Sequence, residues 1–455
     1  MPSNKKLLQA AAGNAGDPLY AEDVFSTYLY DGNSSTNVIT NGIDLAGEGG
    51  LVWGKSRNNA FGHMLIDTVR GGDKGLVSNA TSAEYDNNTM ITSFNSNGFT
   101  LGSYLGLNYN GDDVASWSFR KAEKFFDVQT YTGNGTAGRT IAHNLGAVPG
   151  MMVIKNLTDG TKNWEVWHRV DGVTAVALRL NLTSASSAPG AFNNTDPTST
   201  VFTLATDHVV NKIGDNYVAY LFASDAGGFG DDSDENIIKC GSYTGNGNVT
   251  GPLINLGFEP QFVLIKAASR TGHWFLLDVL RGISTGPSSS SPGTNQYLLA
   301  NSYGAEGETT SINVNSTGFQ PRTTDDSVNE NNATYIYMAI RRPMKTPEAG
   351  TEVYTPLAYT GNSTANRILT SSNNPVDLGI VKQTVQGGDW IWTDRLRGAG
   401  QTIYSNYTQA DDAQSTYISG LDVQSGIEIG SGNPVNNNTK TYISYMLSRA
   451  TGFMD

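Results

Sequence analysis

The chain has 455 residues, and its 29 lysines and arginines against 42 aspartates and glutamates give a formal net charge of −13. Binding to nucleic acid or to an anionic membrane requires clustered Lys and Arg, and this chain is acidic. We therefore expect no nucleic-acid partner and no membrane insertion. Cys240 is the single cysteine, which excludes an intrachain disulfide and a Cys-cluster zinc site. At about 100 to 200 residues per domain, the length predicts two to four domains.

The predicted elements recur four times along the chain, with a period the size of a small domain. Each copy opens with a tyrosine and a turn: Tyr30-Asp31-Gly32-Asn33, Tyr131-Thr132-Gly133-Asn134, Tyr243-Thr244-Gly245-Asn246 and Tyr359-Thr360-Gly361-Asn362. An apolar strand then ends in lysine, at Lys55, Lys155, Lys266 and Lys382. A second apolar strand ends in arginine, at Arg70, Arg169, Arg281 and Arg397. An alternating strand closes each copy, at residues 114–120, 217–222, 335–342 and 442–449.

Short alternating strands separated by Gly, Asn and Asp turns predict an all-β protein. We expect four tandem β-sandwich, jelly-roll-like domains after a short N-terminal arm. The predicted bounds are an arm at 1–20 and repeats at 21–122, 123–230, 236–345 and 352–455. Short linkers between them, the last from Pro343 to Thr351, favour a semi-rigid rod or a compact cluster. Trp117, Trp164, Trp274 and Trp390 are expected to fill the layer between the two sheets of each sandwich.

The arm, residues 1–20, is predicted to be a short helix or an extended segment. Gln9 and Gly13 interrupt its apolar stretch, so it lacks the uninterrupted core of a secretory signal. We expect it to attach the chain to another protein by becoming ordered on that partner.

An acid and an arginine three residues apart recur at the same place in three copies: Asp67 and Arg70, Asp278 and Arg281, Asp394 and Arg397. Such a pair can close a turn through a charge-assisted hydrogen bond, or it can grip a ligand. Repeat two has His168 where the acid would stand. A ligand site would be lost there, so we interpret the pairs as structural.

The other candidates are for metal and sugar binding. The acidic run with Asp231, Asp232 and Asp234 could offer oxygen ligands to calcium, but it lacks the spacing of a calcium loop, and a solvated linker is the favoured interpretation. Tyrosines in polar surroundings could stack on a sugar ring or pack over the sandwich ends. These tyrosines are Tyr85, Tyr109, Tyr303, Tyr404 and Tyr407.

No catalytic constellation can be identified, so we expect no enzyme, no cofactor and no catalytic residue. The segment 49–56 matches the P-loop string, but its interior is the repeat's apolar strand, and a polar turn follows where a P-loop needs a helix. A glycosidase would need two carboxylates about 5 to 10 Å apart across a cleft, and sequence cannot nominate such a pair among 42 acids.

Residues 131–155 and the following Trp164-Glu165-Val166-Trp167-His168-Arg169 resemble a repeated β domain of unknown function found in marine bacteriophage virion proteins. The N-terminal Lys5–Gly13 segment is similar to leaders of cyanophage tail-associated proteins. Repeats two and three match this pattern well. Repeat one lacks the Leu-Gly-x-x-Pro element, and repeat four replaces it with residues 374–379.

The resemblance implies a virion structural protein assembled in the host cytoplasm. We expect a tail fibre or tail-associated appendage that is a homotrimer and contacts other virion proteins through the arm. Its distal loops, in repeat four, would contact a host cell-surface glycan. The alternatives are a capsid decoration protein or head fibre, and a polysaccharide-degrading tailspike.

Overall fold

The computed structural model describes residues 17–170, 173–187, 190–283, 295–371, 375–385 and 387–454. Residues 1–16, which make up most of the predicted arm, lie outside them. The described chain is all-β, which confirms the predicted class. Its α-helices are single turns: α1 (Ala21–Val24), α2 (Leu105–Asn108), α3 (His208–Asn211), α4 (Val279–Gly282) and α5 (Asn433–Asn436). None of the described helices has the length and hydrophobicity needed to cross a bilayer.

Strands account for the regular structure of every repeat, and two 3-10 turns lie at Gly190–Phe192 and Gly350–Glu352. In repeat one they are β1 (Phe25–Asp31), β2 (Asn37–Thr40), β3 (Gly50–Ser56), β4 (Met64–Asp67), β5 (Lys74–Val77), β6 (Tyr85–Asp86), β7 (Ile91–Asn95), β8 (Gly98–Leu101) and β9 (Asp113–Arg120). In repeat two they are β10 (Phe126–Thr132), β11 (Arg139–Ala142), β12 (Pro149–Asn156), β13 (Glu165–Val170), β14 (Val173–Arg179), β15 (Val201–Leu204) and β16 (Asn216–Ala223). In repeat three they are β17 (Ile238–Thr244), β18 (Ile254–Asn255), β19 (Pro260–Ala267), β20 (Trp274–Asp278), β21 (Asn295–Leu299), β22 (Gly307–Thr309), β23 (Ile312–Asn315), β24 (Gly318–Pro321) and β25 (Thr334–Arg341). In repeat four they are β26 (Tyr354–Thr360), β27 (Arg367–Leu369), β28 (Leu378–Gln383), β29 (Trp390–Asp394), β30 (Gln401–Tyr404), β31 (Asp412–Ala413), β32 (Ile418–Gly420), β33 (Ile427–Ile429) and β34 (Thr441–Leu447).

The strands follow the same order in all four repeats, although in the described residues repeat two has one strand fewer in each of its two sheets. The larger sheets run β1-β9-β3-β4-β5-β6, β10-β16-β12-β13-β14, β17-β25-β19-β20-β21-β22 and β26-β34-β28-β29-β30-β31. The smaller sheets run β2-β8-β7, β11-β15, β18-β24-β23 and β27-β33-β32. The first strand of each repeat therefore pairs, antiparallel, with the last strand of the same repeat.

A hydrophobic core joins the larger and smaller sheets. In repeat one, Val52 and Ile66 of the larger sheet pack with Phe99 and Leu101 of the smaller one. In repeat four, residues of β28, β29 and β34 pack with residues of β27, β32 and β33 in the same way. Alternation along each strand accounts for this, since every second side chain points to one face of a sheet.

The chain divides into two compact units. Unit 1 comprises Met1–Leu276, Tyr297–Gly307 and Asn315–Pro343, and unit 2 comprises Leu277–Gln296, Glu308–Val314 and Met344–Asp455. Unit 1 thus contains repeats one and two with most of repeat three, while unit 2 contains repeat four with the remaining segments of repeat three.

Within unit 1 the three repeats form a closed ring, because the same backbone hydrogen bond links each repeat to the next. The N–H of Glu84 donates to the carbonyl of Leu157 at 3.1 Å. Equivalent bonds run from Ser186 to Ala268 at 2.8 Å and from Glu306 to Arg57 at 2.6 Å. Each acceptor lies two residues after the lysine of its repeat, so the contacts run from one to two, two to three and three to one. Unit 1 is therefore a compact cluster rather than a rod.

Each larger sheet has a second face that points away from the smaller sheet, and we call it the junction face. Its residues in unit 1 are buried: Phe25, Trp53, Leu65, Trp117 and Phe119 in repeat one, Phe126, Val153, Val166, Tyr220 and Phe222 in repeat two, and Ile238, Leu264, Leu276, Met338 and Ile340 in repeat three. Rings from all three repeats meet here, because the centroid of Phe119 lies 5.5 Å from that of Phe222 and 6.2 Å from that of Phe262. Both faces of these sheets are therefore covered.

The four tryptophans of the expectation, Trp117, Trp164, Trp274 and Trp390, lie on the junction face, so the expectation that they fill the layer between the two sheets was wrong. The indole N–H of Trp164 donates to the carbonyl of Val77 at 3.0 Å, and that of Trp274 donates to the carbonyl of Arg179 at 3.0 Å. Each indole thus reaches into the preceding repeat. Alternation identifies two apolar faces of a strand, but it does not say which face meets the partner sheet.

Candidate functional site

A buried asparagine organises the same joint in every repeat. These four residues are Asn108, Asn211, Asn329 and Asn436, and all are 0% exposed. Each Nδ2 donates to the carbonyl six residues earlier, at 2.7, 2.8, 2.8 and 3.0 Å. It also donates to the carbonyl two residues beyond the opener asparagine, at 2.5, 3.0, 2.7 and 2.8 Å. Each Oδ1 accepts the backbone N–H of that opener asparagine, at 2.9 to 3.0 Å.

The rest of the opener closes around this asparagine. The tyrosine hydroxyl of each opener donates to the carbonyl of the residue just before the buried asparagine, at 2.9, 2.8, 2.7 and 2.6 Å. The opener glycine lies against the carbonyl of the residue just after it. A Cβ on Gly32, Gly133, Gly245 or Gly361 would lie only 2.0 to 2.2 Å from that oxygen. The Tyr-x-Gly-Asn pattern is therefore a backbone-docking motif.

Sequence reasoning found the opener but missed the buried asparagines. The signal was present, since an apolar residue precedes an asparagine at the same place in each repeat: Leu107-Asn108, Val210-Asn211, Val328-Asn329 and Val435-Asn436. Nothing in these dipeptides separates a buried asparagine from a turn asparagine until the tertiary contacts are known.

The repeated lysine is the next-to-last residue of the third strand in each repeat. Lys55, Lys155 and Lys266 are 0% exposed, and Lys382 is half-buried. In the first three, Nζ donates to the carbonyl of the next residue, at 2.5, 2.7 and 2.6 Å. Burial lowers the pKa of each of these three ammonium groups to about 8. The P-loop string is thus occupied by β3, and its lysine binds backbone carbonyls.

The three Asp–Arg pairs share one geometry. One carboxylate oxygen of Asp67, Asp278 and Asp394 accepts the backbone N–H of the arginine three residues on, at 2.9, 2.8 and 2.9 Å. The other accepts its Nε–H, at 2.6, 2.5 and 2.6 Å. The carboxylate thereby fixes both the turn and the arginine side chain.

In unit 1 this pair also contacts the neighbouring repeat. The hydroxyl of Tyr220 in repeat two donates to Oδ2 of Asp67 at 2.9 Å and accepts from Nη2 of Arg70 at 3.1 Å. His168, which replaces the acid in repeat two, has Nε2 3.0 Å from the carbonyl oxygen of Tyr337 in repeat three. The turn at the end of the fourth strand is therefore part of the contact between repeats.

The chain matches one family over residues 20–343 and 350–452, and that family is described as a domain of unknown function, DUF7483. The chain belongs to the DUF7483 family. No curated protein is significantly similar to it.

The two matched ranges of this DUF7483 member parallel its structure. The first ends at residue 343 and the second begins at residue 350. The gap between them lies in the linker predicted from Pro343 to Thr351, next to the point where unit 1 ends at Pro343. The family similarity thus spans the three-repeat ring and, separately, repeat four.

Two candidate sugar-binding tyrosines of the DUF7483 chain take part in packing. The hydroxyl of half-buried Tyr85 lies 2.6 Å from that of Tyr104. Tyr404 packs against the core of repeat four, and its ring centroid lies 5.5 Å from that of Tyr407.

The other three tyrosines are exposed: Tyr109 by 44%, Tyr303 by 51% and Tyr407 by 54%. The ring of Tyr109 lies 6.2 Å from that of Phe61, and Tyr303 lies against Gly62, the next residue. The structure therefore brings Tyr109 and Tyr303 to one surface of unit 1, and this pair is the better candidate for stacking on a sugar. Tyr407 belongs to unit 2.

The acidic run with Asp231, Asp232 and Asp234 forms a hydrogen bond with Tyr20, near the start of the described chain. The hydroxyl of Tyr20 donates to Oδ1 of Asp231 at 2.7 Å, and this bond raises the pKa of Tyr20 to about 12. Asp232 and Asp234 also take part in interactions. Within the described residues, no group of three or more His, Cys, Asp or Glu side chains is arranged to hold a metal ion.

Glu165 gives unit 1 a pH dependence. It is 5% exposed, and burial raises its pKa to about 7 although Arg179 lies 3.7 Å away. The folded state then holds a proton that the unfolded chain releases near pH 4.3. Stability from this group is therefore full below about pH 4.3 and declines until about pH 7. We expect Glu165→Gln to be more stable than wild type above pH 7, by on the order of 3 to 4 kcal/mol, in urea titrations.

The control for this prediction is Glu123→Gln, which changes an exposed carboxyl of the same repeat. Its difference from wild type should stay near zero at every pH. A Glu165→Gln variant whose difference from wild type did not grow between pH 4.5 and 7 would contradict the assignment.

Proposed function

We propose that the chain is a virion structural protein of a bacteriophage, built from four β-sandwich domains and forming part of a tail fibre or tail-associated appendage. The observation that carries the proposal is the fourfold recurrence of one strand order together with one buried asparagine joint. The polar groups of this joint bind backbone within the repeat, as expected of a scaffold. The resemblance of residues 131–169 to virion domains is the reason for proposing that the chain is part of a phage particle.

The same proposal includes the partners. The arm, residues 1–20, would attach to other virion proteins, and the chain would be a homotrimer. A host cell-surface glycan would stack on exposed aromatic rings, for which Tyr109 and Tyr303 are the best-placed pair.

A capsid decoration protein is the second candidate. It is favoured by the closed ring of unit 1, because a compact body is more typical of a protein bound to the capsid shell than of the elongated shaft of a fibre. A polysaccharide-degrading tailspike is a third candidate, and it would require one acid pair whose removal abolishes glycan cleavage without unfolding the chain.

Immunogold electron microscopy of intact particles tests the location. With an antibody against repeat four, we expect label on tail appendages. Label distributed over the head would contradict the tail-appendage hypothesis and support the capsid decoration protein. Absence of label from all particles, with the antibody shown to bind the purified chain, would contradict a virion role.

A further inference from the structure

The junction face of repeat four differs from its counterparts in unit 1 in being partly open. Its side chains are Tyr354, Leu378, Ile380, Trp390, Trp392, Tyr445 and Leu447, which alternate with the core residues of the same strands. Tyr354 is 38% exposed, whereas its counterparts Phe25, Phe126 and Ile238 are at most 1% exposed. Trp390 is half-buried, whereas its counterparts Trp164 and Trp274 are at most 1% exposed.

An apolar sheet face that remains in water usually marks an interaction site. In unit 1 the matching face of each repeat is covered by the other two repeats. The junction face of repeat four is not covered in this way within the described chain. The repeats four of two further chains have the matching shape and could cover it as the three repeats of unit 1 cover one another.

The contact between repeats is directional, and this sets the number of subunits. The N–H of one repeat binds the carbonyl of the next, so donor and acceptor lie on different surfaces of each repeat. Such a head-to-tail contact forms a ring when its rotation closes, and in unit 1 it closes after three copies. The same contact between repeats four would therefore close at a trimer.

Repeat four also carries both halves of the polar contact. In unit 1, Tyr220 of repeat two binds Asp67 of repeat one. By strand register, Tyr445 stands at the position of Tyr220, and Asp394 stands at the position of Asp67. None of the other repeats carries both the tyrosine and the aspartate. Repeat one has Trp117 at the tyrosine position, repeat three has Met338 there, and repeat two has His168 at the aspartate position. A surface with both groups is complementary to a copy of itself.

We propose that repeat four forms a threefold ring with the repeats four of two other chains, through its junction face. Tyr445 donates to Asp394 of the next chain, and the indole N–H of Trp390 donates to the carbonyl of that chain's Tyr404, which stands where Val77 accepts Trp164. This inference deepens the proposed function by naming the trimerising surface. Its test uses the purified chain, so it can fail while particle labelling succeeds, or succeed while labelling fails.

The test is the mass of the full-length chain in solution, measured by light scattering and sedimentation. Wild type is expected at about three times the 48.6 kDa chain mass. Tyr445→Glu places a carboxylate against Asp394 and should lower the mass threefold. Trp390→Ala, a second variant on the same face, should also shift the chain toward monomer. Ile368→Glu is the control, because Ile368 is 50% exposed on the smaller sheet of the same repeat.

The control should stay trimeric, and all variants should keep the wild-type far-ultraviolet circular dichroism, which reports the strands and not the substituted aromatic side chains. A monomeric or dimeric wild-type chain would overturn the proposal, and would mean that another partner covers the face. A trimer that survives both Tyr445→Glu and Trp390→Ala would also overturn it. Loss of the trimer in both variants with the fold retained would support it.

Discussion

Replacing Phe119 by alanine is expected to destabilise the whole of unit 1. The Phe119 side chain is 0% exposed, and its ring meets rings of all three repeats, with centroids at 5.0 Å for Phe25, 5.5 Å for Phe222 and 6.2 Å for Phe262. Removing a buried phenylalanine costs about 4 kcal/mol through lost burial and the cavity left behind. Urea denaturation followed by tryptophan fluorescence should show this loss.

The location of the loss tests the ring more sharply than its size. If three repeats share one junction, amide hydrogen exchange should accelerate in β16 and β19 as well as in β9, although the substitution lies in repeat one. Phe61→Ala is the matched control, because Phe61 is half-buried and its ring meets only that of Tyr109 among the described aromatic contacts. Faster exchange confined to repeat one would argue against a shared junction.

Asn436→Ala is expected to unfold repeat four or bring it close to unfolding. The substitution removes one acceptor and two donors from a site that is 0% exposed. The backbone N–H of Asn362 and the carbonyls of Thr364 and Gly430 would then lose these hydrogen bonds. Each buried polar group left unpaired costs about 1 to 3 kcal/mol. Three groups at this cost total about 3 to 9 kcal/mol, and the exposed positions of Asn362 and Thr364 place the sum toward the lower end, which is comparable to the stability of a domain of this size.

The control is Asn438→Ala, which makes the same substitution at an exposed position two residues along the same loop. Its thermal midpoint should match that of wild type, while that of Asn436→Ala should fall sharply. Differential scanning calorimetry of the full chain can follow the transition of unit 2. Equal midpoints for the two variants would contradict a structural role for the buried asparagine.

Much of the fold could be predicted because the repeat places equivalent residues side by side. The Tyr-x-Gly-Asn opener, the strand lysine and the Asp67–Arg70 spacing each marked a position that the structure uses for a backbone contact. Local chemistry explains this success. A glycine next to a carbonyl, or an acid three residues before an arginine, constrains the backbone within a few residues, and a sequence can display such constraints.

The candidate sites were harder to predict, because exposure and proximity depend on distant parts of the chain. Tyr85 and Tyr109 both stood in polar surroundings, yet one is half-buried against Tyr104 and the other is 44% exposed. Tyr303 is almost two hundred residues from Tyr109 in the sequence, and only the packing of repeat three on repeat one brings them to one surface.

By itself, the sequence determined the all-β class and the four copies of one strand pattern, because alternation and turn residues act over a few positions. Only the tertiary structure decided which apolar face of each larger sheet meets its own smaller sheet and which meets other repeats. The strand β3 is buried along its whole length, whereas β28, its counterpart in repeat four, is buried only at its centre. Burial of a second face depends on a neighbouring repeat, and no local pattern in the strand specifies where that neighbour lies.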